Sequence, residues 1–299
     1  MTDSFRLALW ATNLGRHLTS LEDWLAQVEA RAQSAALAGA RLLLMPEYAC
    51  ESWLGFKPAG LPPEQEIAWL AQQAKVALPG LRKIAEKSGA TLLAGTMPWL
   101  TADAFRNRAW LIRPHGGLLA QDKLCLTPFE RDAASWSLHP GDRLWLFALD
   151  GWRCAVLVCL DVELPALACR LAPMQPDLVL VPSMTATVSG HARVFGCAKA
   201  RAVELMCAVA CTGVVGTAPG STQNPTNVSG NAVYLPCEPE LGATGILLQT
   251  PAINGSGGEE PFNVVDVPLG VVRAVREAGG EVWPGAWSAA GIELEVERG

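Results

Sequence analysis

The most constraining feature of the sequence is a continuous apolar run at residues 155–161, Ala-Val-Leu-Val-Cys-Leu-Asp, in which Cys159 is followed two residues later by Asp161. A short apolar run with β-branched members is typical of a strand buried on both faces, as in a parallel sheet covered by helices. Cys159 is then expected at the carboxyl end of this strand, the edge at which layered α/β proteins bind ligands. A buried cysteine alone is more often a core residue than a nucleophile. Its role therefore depends on what other strands bring to the same edge.

Length and composition indicate one large domain with a small-molecule partner. The chain has 299 residues, half of them hydrophobic, so a single α/β domain over residues 1–299 has enough apolar side chains for a large core. Charged residues make up 17% and the net charge is −6, with lysine and arginine scattered along the chain. That distribution argues against nucleic acid or an anionic membrane surface as a partner.

Cysteine and histidine usage argues against disulfides and metals. The nine cysteines form an odd set without a Cys-x-x-Cys pair, a pattern that favours reduced thiols in the cytoplasm. The four histidines have no metal-binding spacing, so neither a metal nor another cofactor is expected. The N-terminus does not resemble a secretory signal, and no window approaches the ~18 apolar residues of a membrane span. We therefore expect a soluble, cytoplasmic protein.

A glutamate follows a second apolar run. Residues 41–47 read as a buried strand that a proline stops, with Glu47 directly after that proline. An alternating strand at residues 5–12 precedes it, followed by a helix that a capping box opens at residues 19–22. This order predicts a right-handed βαβ unit, which would place Glu47 at the same sheet edge as Cys159.

A lysine follows a predicted hairpin. Strands at residues 109–113 and 118–121 flank a His-Gly-Gly turn and lead into Lys123. A lone lysine is usually exposed, and a lone glutamate after a proline is usually a solvated turn residue. Glu47 and Lys123 become candidates only because each stands, like Cys159, where a strand ends.

The remaining segments predict further alternation of strands and helices, followed by a change in amino-acid composition after Gly213. Helices are expected at residues 64–76 and 81–87, separated by a break at Pro79-Gly80. From Gly213 onward the chain is rich in Gly, Pro, Ser, Thr and Asn, which predicts hairpins, with residues from about 270–299 as a C-terminal arm.

Taken in order, Pro46-Glu47, Asp122-Lys123 and Cys159-Leu160-Asp161 resemble the motifs of the nitrilase superfamily of carbon–nitrogen hydrolases. Other segments are similar to the family at the matching places: Asn107-Arg108-Ala109, Gly116-Gly117, Pro140-Gly141, Pro165 and Arg201-Ala202-x-Glu204. The chain departs from the family pattern at Leu160, Ala166 and Leu205, and the similarity thins after Gly213, where Ser229-Gly230 stands in for a Gly-x-Ser segment. None of these departures falls on the glutamate, the lysine or the cysteine.

The chemistry of these residue types suits attack on an amide or nitrile carbon, a poor electrophile. A thiolate is a soft nucleophile, but a free cysteine is mostly protonated at neutral pH and needs a base and a nearby cation. We expect Glu47 to take the Cys159 proton, and Lys123 with the backbone N–H of Leu160 to hold the oxyanion. In the family a second glutamate follows the lysine at about the distance of Glu130, which is expected to orient Lys123.

The resemblance implies a four-layer α-β-β-α sandwich of the nitrilase type that forms a homodimer or a higher homo-oligomer, and an amidase-like hydrolase acting through a Cys159 thioester. Nitrile hydrolysis, N-carbamoyl hydrolysis, acyl transfer to an amine and a catalytically silent binding scaffold stay open as alternatives. Five large residues after predicted strand ends or in loops are candidate pocket residues: Tyr48, Trp53, Trp136, Met184 and Phe195.

Overall fold

The computed structural model of the chain describes residues 3–221, 226–281, 291–293 and 295–296. Two six-stranded sheets lie face to face, and helices cover the outer face of each. This is the four-layer α-β-β-α sandwich, in a single domain, that the resemblance implies. The predicted fold class is therefore confirmed.

The first sheet combines a parallel centre with antiparallel edges. Its strands are β1 (Phe5–Trp10), β2 (Leu42–Leu44), β3 (Thr91–Leu100), β4 (Phe105–Ile112), β5 (Leu118–Asp122) and β12 (Phe262–Val267). They lie in the order β12-β1-β2-β3-β4-β5, with β1, β2 and β3 parallel and the other pairs antiparallel.

The second sheet follows the same plan. Its strands are β6 (Leu146–Leu149), β7 (Trp152–Val156), β8 (Leu178–Ser183), β9 (Ala208–Gly213), β10 (Asn231–Tyr234) and β11 (Ile246–Gln249). They lie in the order β11-β10-β9-β8-β7-β6, with β7, β8 and β9 parallel. In each sheet, therefore, three central strands run parallel and have their carboxyl ends at the same edge.

The helices are α1 (Leu21–Leu37), α2 (Glu66–Ser88), α3 (Pro128–Arg131), α4 (Pro165–Leu171), α5 (Val188–Glu204) and α6 (Leu269–Ala278). Helices α1 and α2 pack on the first sheet, and α4 and α5 pack on the second. Helix α1 starts one residue later than its sequence pattern predicts, because the Asp23 amide donates to the Ser20 hydroxyl.

Period-two alternation explains how one strand serves two layers. Leu7 and Leu9 of β1 belong to the core between the sheets, whereas Ala8 and Trp10 belong to the core under α1 and α2. All four are buried, which is why the central strands read as continuous apolar runs.

The predicted break at Pro79-Gly80 is wrong, because α2 runs without interruption through both residues. Proline in a helix interior removes the hydrogen bond to the carbonyl four residues earlier and costs about 3 kcal/mol. Tight packing against α1 accompanies the proline here: a Cβ on Gly80 would lie 2.7 Å from Cδ1 of Leu25. Gly80 thus lies where α1 and α2 cross closely. The packing of the two helices stabilises α2 at this point, and local helix propensity alone does not predict it.

The predicted strand at residues 155–161 is also shorter than expected. β7 ends at Val156, and residues Cys159–Glu163 form a 3₁₀ helix. The Leu157 amide still donates to Leu180 O (3.0 Å), so ladder pairing continues one residue further. Cys159 consequently lies in the turn that leaves the sheet rather than in the strand.

The predicted C-terminal arm falls partly outside the described residues, which omit 282–290, 294 and 297–299. Its first part forms α6, whose Leu269 and Val272 are buried in the larger hydrophobic core cluster of the protein. Among the described residues, no helix has the length and apolar character needed to cross a bilayer.

Helix α6 is held to the second sheet by a buried ion cluster around Asp177. Arg276 Nη2 lies 2.7 Å from one carboxylate oxygen of Asp177, and Arg273 Nη2 lies 2.5 Å from the other. The Arg153 amide donates to the same carboxylate. Burial raises the pKa of Asp177, but these hydrogen bonds lower it more, so its pKa lies below the usual range.

We predict that Asp177→Asn destabilises the protein by roughly 3–5 kcal/mol, because it leaves the buried Arg276 guanidinium without its counter-charge. Folding lowers the pKa of Asp177, so its ionised carboxylate adds to the free energy of unfolding at pH values above the unfolded-state pKa. This contribution is lost as the pH falls through the folded-state pKa. Urea denaturation at pH 7 and at decreasing pH measures both effects.

The matched control is Asp266→Asn, which removes a carboxylate that pairs with Arg6 at the exposed surface. Its cost should be about 0–1 kcal/mol. An equal loss of unfolding free energy in the two variants would contradict the role of Asp177 as the buried counter-charge of Arg276.

Candidate active site

Three strand ends meet at one edge of the sandwich. Glu47 comes three residues after β2, Lys123 follows β5 directly, and Cys159 comes three residues after β7. β5 is antiparallel to β4, which is antiparallel to β3, so β5 runs in the same direction as β2. Glu47 and Lys123 therefore lie at one edge of the first sheet. Cys159 follows a strand of the second sheet, so the expectation of a single sheet edge is wrong, and the three predicted catalytic residues meet instead on a cavity wall to which both sheets contribute.

A glycine in β3 allows the turn that carries Glu47 to lie close to the sheet. Gly95 has a φ of +65°, and a Cβ there would lie 2.0 Å from the Pro46 carbonyl oxygen. The pairing of β3 with β4 is irregular at this point, between Leu93 and Thr96. Only glycine fits both this conformation and this approach.

Lys123 lies between two carboxylates. Its Nζ is 2.8 Å from Oε1 of Glu47 and 2.8 Å from Oε2 of Glu130, and all three side chains are no more than 3% exposed. A buried ammonium requires such partners because its desolvation costs several kcal/mol. The predicted association of Glu130 with Lys123 is thus present in the geometry.

Glu130 is fixed by a capping box that opens α3. The Thr127 hydroxyl accepts from the Glu130 amide, and the Thr127 amide donates back to Oε2 of Glu130 (2.9 Å). The Tyr48 hydroxyl donates to Oε1 at 2.9 Å. Burial raises the pKa of Glu130, but Lys123 and these donors lower it more, so its pKa lies below the ordinary value.

Asn107 links the two carboxylates, a contact that the sequence did not predict. Its Nδ2 donates to Oε1 of Glu47 at 2.8 Å and to Oε1 of Glu130 at 3.0 Å. Its backbone carbonyl accepts from the Lys123 amide. The sequence showed Asn107 only as part of a family-like segment, since its partners are distant along the chain.

Cys159 occupies a strained backbone conformation beside this cluster. Its φ is +49°, in the left-handed region that a non-glycine residue adopts at a cost. Its Sγ donates to the Met184 carbonyl at 3.4 Å, and the thiol lines the same cavity as the Glu47 carboxyl group. This turn leaves Cys159 at the border of the core, on the same cavity wall as Glu47.

The pKa shifts describe a site with a protonated thiol at rest. Burial raises the pKa of Cys159, and the Glu47 carboxylate raises it further against the opposing effect of Lys123. Burial also raises the pKa of Glu47, with Lys123 lowering it and Glu130 raising it. Burial lowers the pKa of Lys123, but the two carboxylates outweigh burial and raise it well above its usual range. Lys123 is therefore a permanent cation, and Glu47 is the neighbour able to accept the thiol proton.

Asp161 ties the cysteine turn to the lysine segment. Its carboxylate accepts from the amide of Val158 (3.0 Å) and from the amides of Leu124 and Cys125 (3.1 and 2.7 Å). Burial raises the pKa of Asp161 to about 7, although Lys123 and these amides lower it. In the sequence Asp161 is only part of a family-like motif, whereas in the structure its contacts hold the Cys159 turn against the segment that follows Lys123.

A cavity of about 150 Å³ opens onto the cluster. Its wall comprises Glu47, Tyr48, Lys123, Thr127, Phe129, Glu130, Trp136, Cys159, Met184 and Ala186. Three of the five candidate pocket residues, Tyr48, Trp136 and Met184, lie on this wall.

Trp53 and Phe195 do not line this cavity, so their expected pocket role is corrected. Trp53 is fully buried and packs edge-on against Trp24, with 5.0 Å between ring centroids. Phe195 lies in α5 and packs on His191 at 3.9 Å between ring centroids. Both are core aromatics, as large apolar side chains usually are.

Leu160 follows Cys159 directly, in the first turn of the 3₁₀ helix Cys159–Glu163. The first N–H groups of a helix have no carbonyl partner within that helix, so the Leu160 N–H is suited to an oxyanion near the sulfur. Within the described parts of the chain, no group of three or more His, Cys, Asp or Glu side chains is arranged to hold a metal ion.

Comparison with known families agrees with this geometry. A family model described as carbon–nitrogen hydrolase matches residues 8–241. The chain belongs to the carbon–nitrogen hydrolase family.

Two curated relatives of the chain are named as a hydrolase and an amidase. A probable hydrolase, YhcX, of Bacillus subtilis is 30% identical over 173 residues, which cover 58% of this chain and 32% of that protein. An (R)-stereoselective amidase of a Pseudomonas species is 36% identical over 77 residues, which cover 26% of this chain and 27% of that protein. The chain therefore spans only about a third or less of the length of these two relatives.

Solved structures match over most of the chain. An amidase from Nesterenkonia sp. superposes with a TM-score of 0.68 at 26% identity, covering 93% of this chain and 96% of that chain. A mutant of the amidase from Nesterenkonia sp. AN1 in complex with butyramide has a TM-score of 0.66 at 26% identity, covering 92% and 95%.

We predict that Lys123→Met destabilises the protein by roughly 3–5 kcal/mol near neutral pH, because two buried carboxylates lose their common counter-ion. Their pKa values should then rise above those of the unfolded chain. The folded state would hold protons that the unfolded state releases, so stability should fall as the pH rises above about 4.5. Urea denaturation between pH 5 and pH 8 measures this slope.

Lys87→Met serves as the control, since Lys87 is exposed and its ion pair with Glu29 should contribute about 0–1 kcal/mol. If Lys123→Met were as stable as this control at pH 8, the buried ion set would not have the energetic role described.

Proposed function

We propose that the protein hydrolyses the carbon–nitrogen bond of small amides, giving a carboxylic acid and ammonia or an amine. The observation that carries this proposal is the convergence of Cys159, Glu47 and Lys123 on one cavity wall. A nucleophile, a base and a fixed cation around one cavity are what acyl transfer to a thiol requires.

The first half of the reaction forms a thioester. Glu47 takes the Cys159 proton as the sulfur attacks the amide carbon, and the electrons of the C=O bond move to oxygen. Lys123 and the Leu160 N–H stabilise that oxyanion. As the carbonyl re-forms, the C–N bond breaks, and Glu47 gives its proton to the leaving nitrogen. Ammonia or an amine departs, and the acyl group stays on sulfur.

The second half consumes one water molecule. Glu47, again a carboxylate, takes a proton from water as the water oxygen attacks the thioester carbon. The C–S bond then breaks, the acid is released, and the proton on Glu47 returns to the sulfur. The raised pKa of Glu47 brings it closer to the working pH, which suits a group that alternates between base and acid.

Solved neighbours support an amide as the substrate class. Mutants of the Nesterenkonia sp. AN1 amidase are described in complex with acrylamide and with butyramide. Another is described with the acetamide moiety of fluoroacetamide added covalently at its active site cysteine. Nitriles, N-carbamoyl compounds and amine acceptors suit the same three residues and belong in the same substrate panel.

The cellular setting is part of the same proposal. The odd, unpaired cysteine set supports action in the reducing cytoplasm. The family resemblance supports a homodimer, which light scattering coupled to gel filtration would detect as twice the chain mass.

We predict that Cys159→Ala reduces ammonia release from short amides to the background rate, because no other group on the cavity wall replaces the thiolate. Cys237→Ala, which alters an exposed thiol, should keep the activity of the unmodified protein. Single-turnover mass spectrometry should also detect an acyl adduct on Cys159 alone. Product formation by Cys159→Ala at the native rate would end the proposal.

We also predict the pH dependence of kcat/KM. Glu47 must be ionised to act as base, and burial raises its pKa, so the acidic limb should lie above the ordinary value of 4.5. The Glu130 charge also raises the pKa of Glu47, so Glu130→Gln should move this limb to lower pH.

The exposed Glu86→Gln provides the control for a change of glutamate to glutamine and should leave the profile unchanged. An acidic limb that stayed in place in Glu130→Gln, with activity retained, would contradict the assignment of that limb to Glu47.

A further inference from the structure

The cavity wall divides into a charged floor and a neutral side. Its charged residues form one buried ion set, in which Lys123 pairs with both Glu47 and Glu130, and Cys159 lines the same cavity. The other wall residues are all uncharged: Tyr48, Thr127, Phe129, Trp136, Met184 and Ala186. Beyond the reacting amide, a substrate would therefore meet a neutral and largely apolar surface without a free counter-charge.

Trp136 is held in place by aromatic neighbours on two sides. Its ring lies 4.7 Å from that of Tyr48 and 5.3 Å from that of Phe129, both edge-on. Trp136 is 5% exposed, whereas Phe129 is 39% exposed. Trp136 is thus an inner wall of the cavity, and Phe129 lies nearer the solvent.

The backbone around Trp136 is also fixed. The Leu138 amide donates to the Glu130 carbonyl at 2.7 Å, and the Ser135 and Ser137 amides both donate to the Asp132 carbonyl at 3.0 Å. These bonds close the short loop that follows α3. An indole on a closed loop between two rings has little freedom to move aside for a longer ligand.

On this basis, and resting on the proposed amide hydrolysis, we propose that Trp136 is a specificity-determining residue that limits the acyl group to short, uncharged aliphatic chains. The space of about 150 Å³ has to hold the reacting amide as well as the acyl chain. Each methylene that fits an apolar pocket, or fails to fit, changes kcat/KM by about 10- to 200-fold. A charged acyl group is disfavoured because its charge would be desolvated without a partner.

The test compares acyl-chain selectivity in purified variants. Ammonia release is measured with acetamide, propionamide, butyramide, hexanamide and the charged succinamate. The unmodified protein should show kcat/KM at least about tenfold lower for hexanamide than for butyramide, and lower still for succinamate. Trp136→Leu, which opens the inner wall, should raise the hexanamide-to-butyramide ratio by about tenfold or more, mainly through KM.

Trp145→Leu is the matched control, because Trp145 is 42% exposed and is not among the residues that line this cavity. It should leave the ratio unchanged. Trp136→Phe keeps an aromatic ring and should give an intermediate ratio, which provides a second test if Trp136→Leu folds poorly. A general loss of structure lowers all rates together and does not change the ratio.

The outcomes separate the two proposals. If the unmodified protein hydrolyses amides but the ratio is the same in Trp136→Leu or Trp136→Phe, the role of Trp136 is overturned and amide hydrolysis stands. If the unmodified protein releases ammonia from none of these amides, the proposed function fails, and the inference built on it fails with it.

Discussion

The arrangement of this protein depends on a buried ammonium that two carboxylates share. Lys123 can stay charged in the interior only because Glu47 and Glu130 both lie 2.8 Å from it. One positive and two negative charges leave an excess of negative charge, which raises the affinity of the site for a proton. Burial is the main cause of the raised pKa values of Glu47 and Cys159, and a neighbouring carboxylate raises each of them further against the opposing effect of Lys123. The same ion set also holds three segments of the chain together, because Glu47, Lys123 and Glu130 come from different parts of the sequence.

A second constraint joins the turn that carries Cys159 to the segment that follows Lys123. The Asp161 carboxylate accepts amides from the Cys159 turn and from the segment that follows Lys123. Three amide donors on one carboxylate fix the turn in which Cys159 adopts its positive φ, so the cost of that conformation is offset locally. Displacement of either segment would break hydrogen bonds to Asp161, which couples the positions of the two segments.

The sequence predicts those features that depend on strand order and strand ends. Apolar runs that stop at Glu47 and near Cys159 are visible locally, and the βαβ rule predicts the parallel pairing of β1 with β2. The two runs belong to different sheets, so their meeting depends on how the sheets pack, which the local pattern does not contain. Features that depend on distant partners are not visible: Asn107 bridges two carboxylates that lie 60 and 23 residues away. Pro79-Gly80 reads as a break because the packing of Leu25 against Gly80 is absent from the local pattern. For the same reason, Trp53 and Trp136 look equivalent in the sequence, although one is core and the other lines the cavity.

The loop after Lys123 carries both a partner of the buried ammonium and a residue of the cavity wall. Glu130, which fixes Lys123, and Trp136, which forms the inner wall, are six residues apart, and the Glu130 carbonyl accepts from the Leu138 amide. Tyr48 strengthens the link, because its ring packs on Trp136 while its hydroxyl donates to Glu130. A change in loop length or in Tyr48 would therefore alter the pocket and the orientation of Lys123 together. Substitution of the Trp136 side chain alone alters the wall and keeps the Glu130 backbone bonds, so it is the change that separates selectivity from catalytic geometry.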